Sequence, residues 1–207
     1  MAIVTPLETG SSGRRRLALA SPATLEPIGE IEVHTAADVA AAVERARKAQ
    51  VDWAALPVGE RTRYLVRVLD RLLERQDDVL STVIRETGKP RTEAIQMEVF
   101  SVGDALNYYA KNAQRILRTE KRKLHGLTRL MKKLRVAYRP LGVVGVITPW
   151  NGPFVLAMNP ISQALVAGNA VSLKPSEVTP FSGLLAVELF LEAGLPEGLL
   201  HVLSGYG

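Results

Sequence analysis

An α/β fold, in which N-terminal helices lead into a doubly wound parallel βαβαβ sheet, is predicted by three observations. Residues 35–117 repeat apolar side chains at three- and four-residue steps, the period of helices with one buried face. From Leu141 onward, three short apolar runs alternate with two helical patterns, all within 67 residues, and strands spaced this way pair in parallel through right-handed crossovers. The 207 residues are 47% hydrophobic and 23% charged with mean hydropathy +0.08, the balance of a chain that folds around a core as one domain, or one plus a small appendage.

Taken in order, residues 1–20 are expected to be a flexible tail, since Gly10-Ser11-Ser12-Gly13 precedes Arg14-Arg15-Arg16. Ile28, Ile31 and Val33 then alternate with polar neighbours as an edge strand does. Thr35 with Asp38 has the spacing of a capping box and opens a helix that ends before Pro57. Residues 59–87 read as one long amphipathic helix stopped by Gly88-Lys89-Pro90, and a further helix runs from Thr92 to about Leu117. Leu141 to Ile147 is apolar throughout and is expected to be a strand buried on both faces. A helix from Phe154 to Val166 despite Pro160, a strand from Ala170 to Lys174, a helix from Pro180 to Ala193 and a strand from Leu199 to Leu203 complete the alternation.

Composition excludes several chemistries. The sequence has no cysteine, which removes disulfides, thiolate metal sites and a cysteine nucleophile from these residues and fits a reducing, cytoplasmic setting. Three separated histidines, His34, His125 and His201, give a metal site little material, and no metal is expected. With no apolar run of spanning length, no membrane segment and no export signal are expected. Charge is uneven: residues 1–140 hold 25 basic and 17 acidic side chains, residues 141–207 hold 1 and 4, and between Lys111 and Arg139 eleven basic residues face one acid, Glu120. Such a stretch is either a solvated helix end and hairpin or a patch for nucleic acid or another acidic partner. Aromatic interleaving is limited to Tyr138, so the solvated reading outweighs the nucleic-acid one.

In a doubly wound sheet, ligands bind beyond the carboxyl ends of the strands. Those ends carry Ile147, Thr148, Pro149, Trp150 and Asn151, then Lys174, Pro175, Ser176 and Glu177, then Gly205, Tyr206 and Gly207. Neither a G-x-G-x-x-G after the first strand nor a P-loop is present. Asn151 either caps its turn or presents a fixed amide dipole to developing negative charge. Lys174, the one basic residue after Arg139, either pairs with Glu177 at a surface turn or serves a specific partner.

The run Arg139-Pro-Leu-Gly-Val-Val-Gly-Val-Ile-Thr-Pro-Trp-Asn151, the Lys-Pro-Ser-Glu motif at 174–177, the Gly-Leu-Pro-Glu-Gly loop at 194–198 and the terminal Gly-x-Gly together resemble the NAD(P)-dependent aldehyde dehydrogenases, over about residues 20–207. The resemblance implies an aldehyde-dehydrogenase-like fold and a nicotinamide dinucleotide as cofactor and partner. It makes residues 21–207 part of an NAD(P)-binding domain, with about 119–138 similar to part of an oligomerisation hairpin of a homo-oligomer. Ile147 to Trp150 would then line the nicotinamide side, and Asn151 would donate to the oxyanion of a thiohemiacetal. Lys174 and Glu177 would hold the adenosine ribose, with Glu177 favouring NAD over NADP. Gly205 and Gly207 would close the adenine side. In such enzymes a cysteine attacks the aldehyde and a glutamate activates water, both from sequence beyond the Gly-x-Gly. Neither segment is among these 207 residues. The chain is therefore expected to be truncated and, alone, not to oxidise aldehydes. The remaining alternatives are a non-enzymatic remnant or subunit partner that keeps nucleotide binding, and a basic nucleic-acid-binding module. Pro160 also stands where many members carry a lysine.

Overall fold

The structure, a computed structural model, describes residues 2–7 and 13–206. Three antiparallel strands come first: β1 (Ile3–Leu7), β2 (Arg16–Ala20) and β3 (Pro27–Glu32), in that order across the sheet. The expected tail over residues 1–20 is thus corrected, because two of these strands fall within it. Leu17 and Leu19 of β2 alternate inward and are buried with Ile31 of β3, which gives the segment its own small core. Gly10, Ser11 and Ser12, on which the tail reading rested, lie outside the described residues.

Helix α1 (Ala36–Ala55) starts at the expected capping box: the Asp38 N–H donates to Thr35 Oγ1 and the Thr35 N–H donates to the Asp38 carboxylate. The single helix expected over 59–87 is two, α2 (Val58–Glu74) and α3 (Gln76–Thr87), interrupted at Arg75, where φ is −107° and ψ is 20°. The Arg75 guanidinium reaches Asp78 at 2.9 Å and, on a later helix, Glu188 at 3.0 Å and Glu192 at 2.6 Å. Next come α4 (Arg91–Ala94), a π-helical stretch from Ile95 to Phe100, and α5 (Ser101–Ile116). A hairpin of β4 (Glu120–Arg122) and β5 (Leu134–Val136) encloses the short α6 (Thr128–Met131).

The parallel sheet follows: β6 (Val143–Ile147), β7 (Ala170–Lys174) and β8 (Leu200–Val202), joined by α7 (Val155–Val166) and α8 (Pro180–Glu192). Its order is β6-β7-β8. Burial on both faces, expected for 141–147, belongs to the central β7 instead, where residues 170–173 are all buried. Strand β6 is an edge, and its Ile147 is 78% exposed. Helices α2, α3 and α5 pack against α7 and α8, so Leu65, Val68, Leu106, Phe154, Met158 and Phe190 share one core.

Arg61, buried in α2, ties two helix ends together. Its Nε donates to the Val166 carbonyl at 2.9 Å and its guanidinium also reaches the carbonyls of Ala54, at 3.3 Å, and Leu56. A cation that satisfies the carbonyls left over at helix C-termini also opposes their negative dipole ends. Gly168, beside it, has φ +93°, and a Cβ there would lie 2.9 Å from Pro140, so only glycine turns the chain from α7 into β7 at this spot.

Candidate functional site

Parallel pairing brings the carboxyl ends of the three strands into line. Ile147 sits opposite Lys174, and Leu173 opposite Val202. Each ladder runs one bond past the strands: the Thr148 N–H donates to the Lys174 carbonyl at 3.1 Å, and the Leu203 N–H to the Leu173 carbonyl at 2.8 Å. The turns that leave the sheet therefore begin side by side, which gathers the 147–151 and 174–177 residues on one rim. Gly205 follows two residues after Leu203, on a turn clasped by His34: the His34 N–H donates to the Ser204 carbonyl at 2.8 Å and the Ser204 N–H to His34 Nδ1 at 3.0 Å. Gly207 lies outside the described residues.

On the first turn, Thr148 is buried, Pro149 and Asn151 are exposed and Trp150 is half exposed, next to the open Ile147. Among the described residues, the Asn151 carboxamide makes no hydrogen bond, so it does not cap its turn and both its donor and its acceptor are free. The turn is fixed by other means. Phe154 is fully buried, and the N–H of Val155, the first residue of α7, donates to Glu98 Oε2 at 2.9 Å. The other oxygen of Glu98 pairs with the Lys89 ammonium, and the Glu98 side chain is completely buried. Pro160 sits inside α7, where no side chain amine can project.

On the second turn, Lys174 Nζ lies 3.3 Å from Glu177 Oε2 and 3.3 Å from the Pro175 carbonyl, with both side chains partly exposed. The surface pair, one of the two alternatives the sequence left open, does form, and it leaves one donor of the ammonium and three carboxylate lone-pair positions open. Ser176 is spent on the turn itself: its Oγ accepts from the Val178 N–H at 3.2 Å and its carbonyl from the Thr179 N–H at 3.2 Å. Pro175 is buried against Gly183 of α8, where a Cβ would come within 2.6 Å of Pro175 Cβ. Glu86 of α3 caps α8, accepting from the Phe181 N–H at 2.6 Å, the Ser182 N–H at 2.8 Å and the Ser182 hydroxyl. Burial pushes its carboxyl up to about 7, and the Ser182 and Phe181 donors restrain the rise.

Two buried glutamates thus set the helices that follow the two turns, and reading the sequence for motifs missed both. The available signal was an acid on an apolar stripe: Glu86 stands three residues after Val83, and Glu98 midway between Ala94 and Val102. Carboxylates at helix N-termini are stabilised by the free amides and positive dipole end there.

The sequence profile of the aldehyde dehydrogenase family matches residues 9–207. The chain is 40% identical over 191 residues to the 4,4'-diapolycopene aldehyde oxidase of Methylomonas sp., a match that covers 92% of this chain and 36% of that protein. Among solved structures it is similar to a Mycobacterium tuberculosis aldehyde dehydrogenase complexed with NAD+, with TM-score 0.85, 36% identity and coverage of 93% of this chain and 39% of that one. It is likewise similar to an NADP dependent enzyme of E. coli, with TM-score 0.86, 30% identity and coverage of 98% and 42%. The chain therefore spans well under half the length of these relatives.

Proposed function

The chain belongs to the aldehyde dehydrogenase family, and from that membership we propose that these residues form the dinucleotide-binding part of an NAD(P)-dependent oxidoreductase that converts an aldehyde to a carboxylic acid. The observation that carries the reading is the shared rim, where the 147–151 turn and the Lys174/Glu177 pair leave neighbouring strands side by side.

The residues present fit such a cofactor. Lys174 and Glu177 offer an ammonium donor and a carboxylate acceptor 3.3 Å apart, a combination suited to ribose hydroxyls, and the open faces of Ile147 and Trp150 suit a flat ring. Thr148, Pro149, Pro175 and Ser176 shape the floor between them, and Gly205 closes the adenine side. Bound there, a nicotinamide ring supplies a hydride acceptor. The Glu177 carboxylate repels a 2′-phosphate, which makes NAD the preferred form over NADP. Asn151, with its carboxamide unengaged, donates to the oxyanion that develops when a nucleophile adds to the aldehyde, an interaction whose loss costs about 3–4 kcal/mol in a closed site. The nucleophilic thiolate and the water-activating carboxylate of the family's reaction are not contributed by these residues, which contain no cysteine. In this reading they come from polypeptide outside the 207 residues, the hairpin near 119–138 supports self-association, and the assembled protein works in the cytoplasm.

Titration calorimetry with NAD and with NADP tests the reading. The expected result is saturable binding that Lys174→Ala weakens about tenfold or more while Asn151→Ala leaves it unchanged. In a preparation that includes the nucleophile, Asn151→Ala lowers kcat by about 10²–10³. A folded chain that binds neither dinucleotide, alone or with the rest of the protein, would overturn it.

A further inference from the structure

His34 lies far from the strand ends in sequence, yet it holds the turn that follows β8. It stands between β3 and Thr35, the N-cap of α1, and the backbone on either side of it is fixed. The Val33 N–H donates to the Arg15 carbonyl at 2.8 Å, and Thr35 is locked in its capping box. From this seat His34 meets Ser204 twice: its own N–H donates to the Ser204 carbonyl, and its Nδ1 accepts the Ser204 N–H. Ser204 is buried, so solvent is poorly placed to replace a lost acceptor. Gly205 then lies over Val33, whose Cγ1 would be 3.7 Å from a Cβ at that glycine. The first amide of the turn thus depends on one imidazole nitrogen.

We infer that His34 is a positioning residue for dinucleotide binding, a role that rests on the site proposed above. With Nδ1 unprotonated it holds the Ser204–Gly205 turn where it closes the adenine side, and protonation of Nδ1 releases the turn. A ring nitrogen that accepts an N–H becomes a donor once it is protonated, and two donors then face each other across 3.0 Å. Imidazoles make this change between about pH 5 and 8. The charged groups around the ring come from four places: Arg14 ahead of β2, Glu32 of β3, Asp38 and Arg45 of α1, and His201 of β8. Arg14 pairs with Asp38 at 3.1 Å and with Glu32 at 3.7 Å. Asp38 stays ionised, because the Thr35 amide and hydroxyl hold its carboxyl below the ordinary value. Burial pushes the His201 imidazole down, and Arg45 adds to this, so His201 keeps its neutral form to lower pH. His34 is left as the ring whose proton bears directly on Ser204.

Calorimetric titration of the full chain with NAD from pH 8 to pH 5.5, paired with amide NMR spectra of the same samples, tests the inference. Wild-type affinity is expected to fall about fivefold or more toward the acid end, and the Ser204 and Gly205 amide resonances to move with it. His34→Asn keeps an acceptor near the place of Nδ1 but cannot titrate. It should bind like the wild type at pH 8 and lose the acid weakening, with both amides still. His34→Ala, which leaves the amide without an acceptor, should bind weakly at every pH. Thermal melts verify that both variants fold. Glu86 also titrates near 7, but its contribution survives in His34→Asn, so the difference between the two profiles belongs to His34. Parallel pH profiles for the wild type and His34→Asn, or a Gly205 amide that does not respond to pH, overturn the inference. If NAD binds at no pH, the dinucleotide reading falls, and the two amides still decide whether protonation of His34 releases the turn.

Discussion

Glu98 accepts a hydrogen bond at 2.9 Å from the backbone N–H of Val155, 57 residues further along the chain, and so holds the entry of α7 directly behind the Thr148–Asn151 turn. Because the same carboxylate is paired with Lys89 and has no exposed surface, it is a fixed anchor for the start of α7, four residues after Asn151. Glu98→Ala leaves Lys89, itself only 12% exposed, without its partner and an α7 amide without an acceptor. Breaking a buried pair this way costs about 3–5 kcal/mol. A denaturant titration is expected to show that loss, and Lys89→Met combined with Glu98→Leu to recover part of it. A single variant as stable as the wild type would count against the arrangement.

Glu86 makes stability depend on pH. Its folded pKa, about 7, lies above the ordinary 4.5, so the folded state holds the proton more tightly than the unfolded chain. The stability this group adds is complete below about pH 4.5 and is lost as pH rises through 7. Urea midpoints for the wild type and Glu86→Gln, taken from pH 4.5 to 8, should therefore show the wild type losing ground to the variant as pH increases. A difference that is constant or grows in the other direction contradicts this.

At Gly183 the constraint is volume. A Cβ there meets Pro175 at 2.6 Å, between backbone-anchored groups that have little room to yield. Gly183→Val is expected to cost about 1–3 kcal/mol through overpacking and to shift the Lys174–Glu177 turn, seen as weaker dinucleotide binding together with a lower Tm. Gly145, where nothing lies within 4 Å of an added Cβ and φ is not positive, is the control for glycine replacement as such.

Replacing Arg61 tests the double helix cap. Arg61→Ala strips donors from the carbonyls of Ala54, Leu56 and Val166, at a cost of about 3 kcal/mol in thermal or denaturant unfolding. Arg61→Lys should restore less than half of it, since one ammonium cannot span the ends of α1 and α7 as a planar fork does.

For Glu177, the expected change is in selectivity. Glu177→Gln removes the carboxylate that faces the ribose in the proposed complex, and the NAD preference over NADP should fall by about fivefold to tenfold, on the order of 1 kcal/mol at an exposed site. Calorimetric Kd values for the two cofactors measure it, and an unchanged ratio would place Glu177 away from the 2′ position.

What the sequence could reveal follows the reach of its patterns. Helix and strand periods located α1, α7, α8 and β7 because each has a face whose burial shows in its own residues. The break at Arg75 left no such trace, since the apolar repeat runs straight from Leu72 and Leu73 to Val79 and Leu80. Strands β1 and β2 are five residues each and carry too few alternations to stand out beside a glycine- and arginine-rich stretch. The exposure of Ile147 depends on how many strands flank β6, which its own apolar sequence does not encode. Of the rim residues, Lys174 and Glu177 were legible as a pair four positions wide, whereas the supports of the rim, Glu86 and Glu98, act on amides far along the chain and could be noticed only as misplaced acids.

The long reach of these caps has a consequence for the order of events in folding. Helices α7 and α8 receive their terminal hydrogen bonds from side chains 57 to 105 residues earlier, so neither can be completed by local closure. During synthesis the early helices emerge with two carboxylates and a guanidinium prepared for partners that do not yet exist, and those groups stay hydrated until the later half arrives. Formation of the parallel sheet and dehydration of the caps are then one event with high contact order, and slow, cooperative assembly is its kinetic signature.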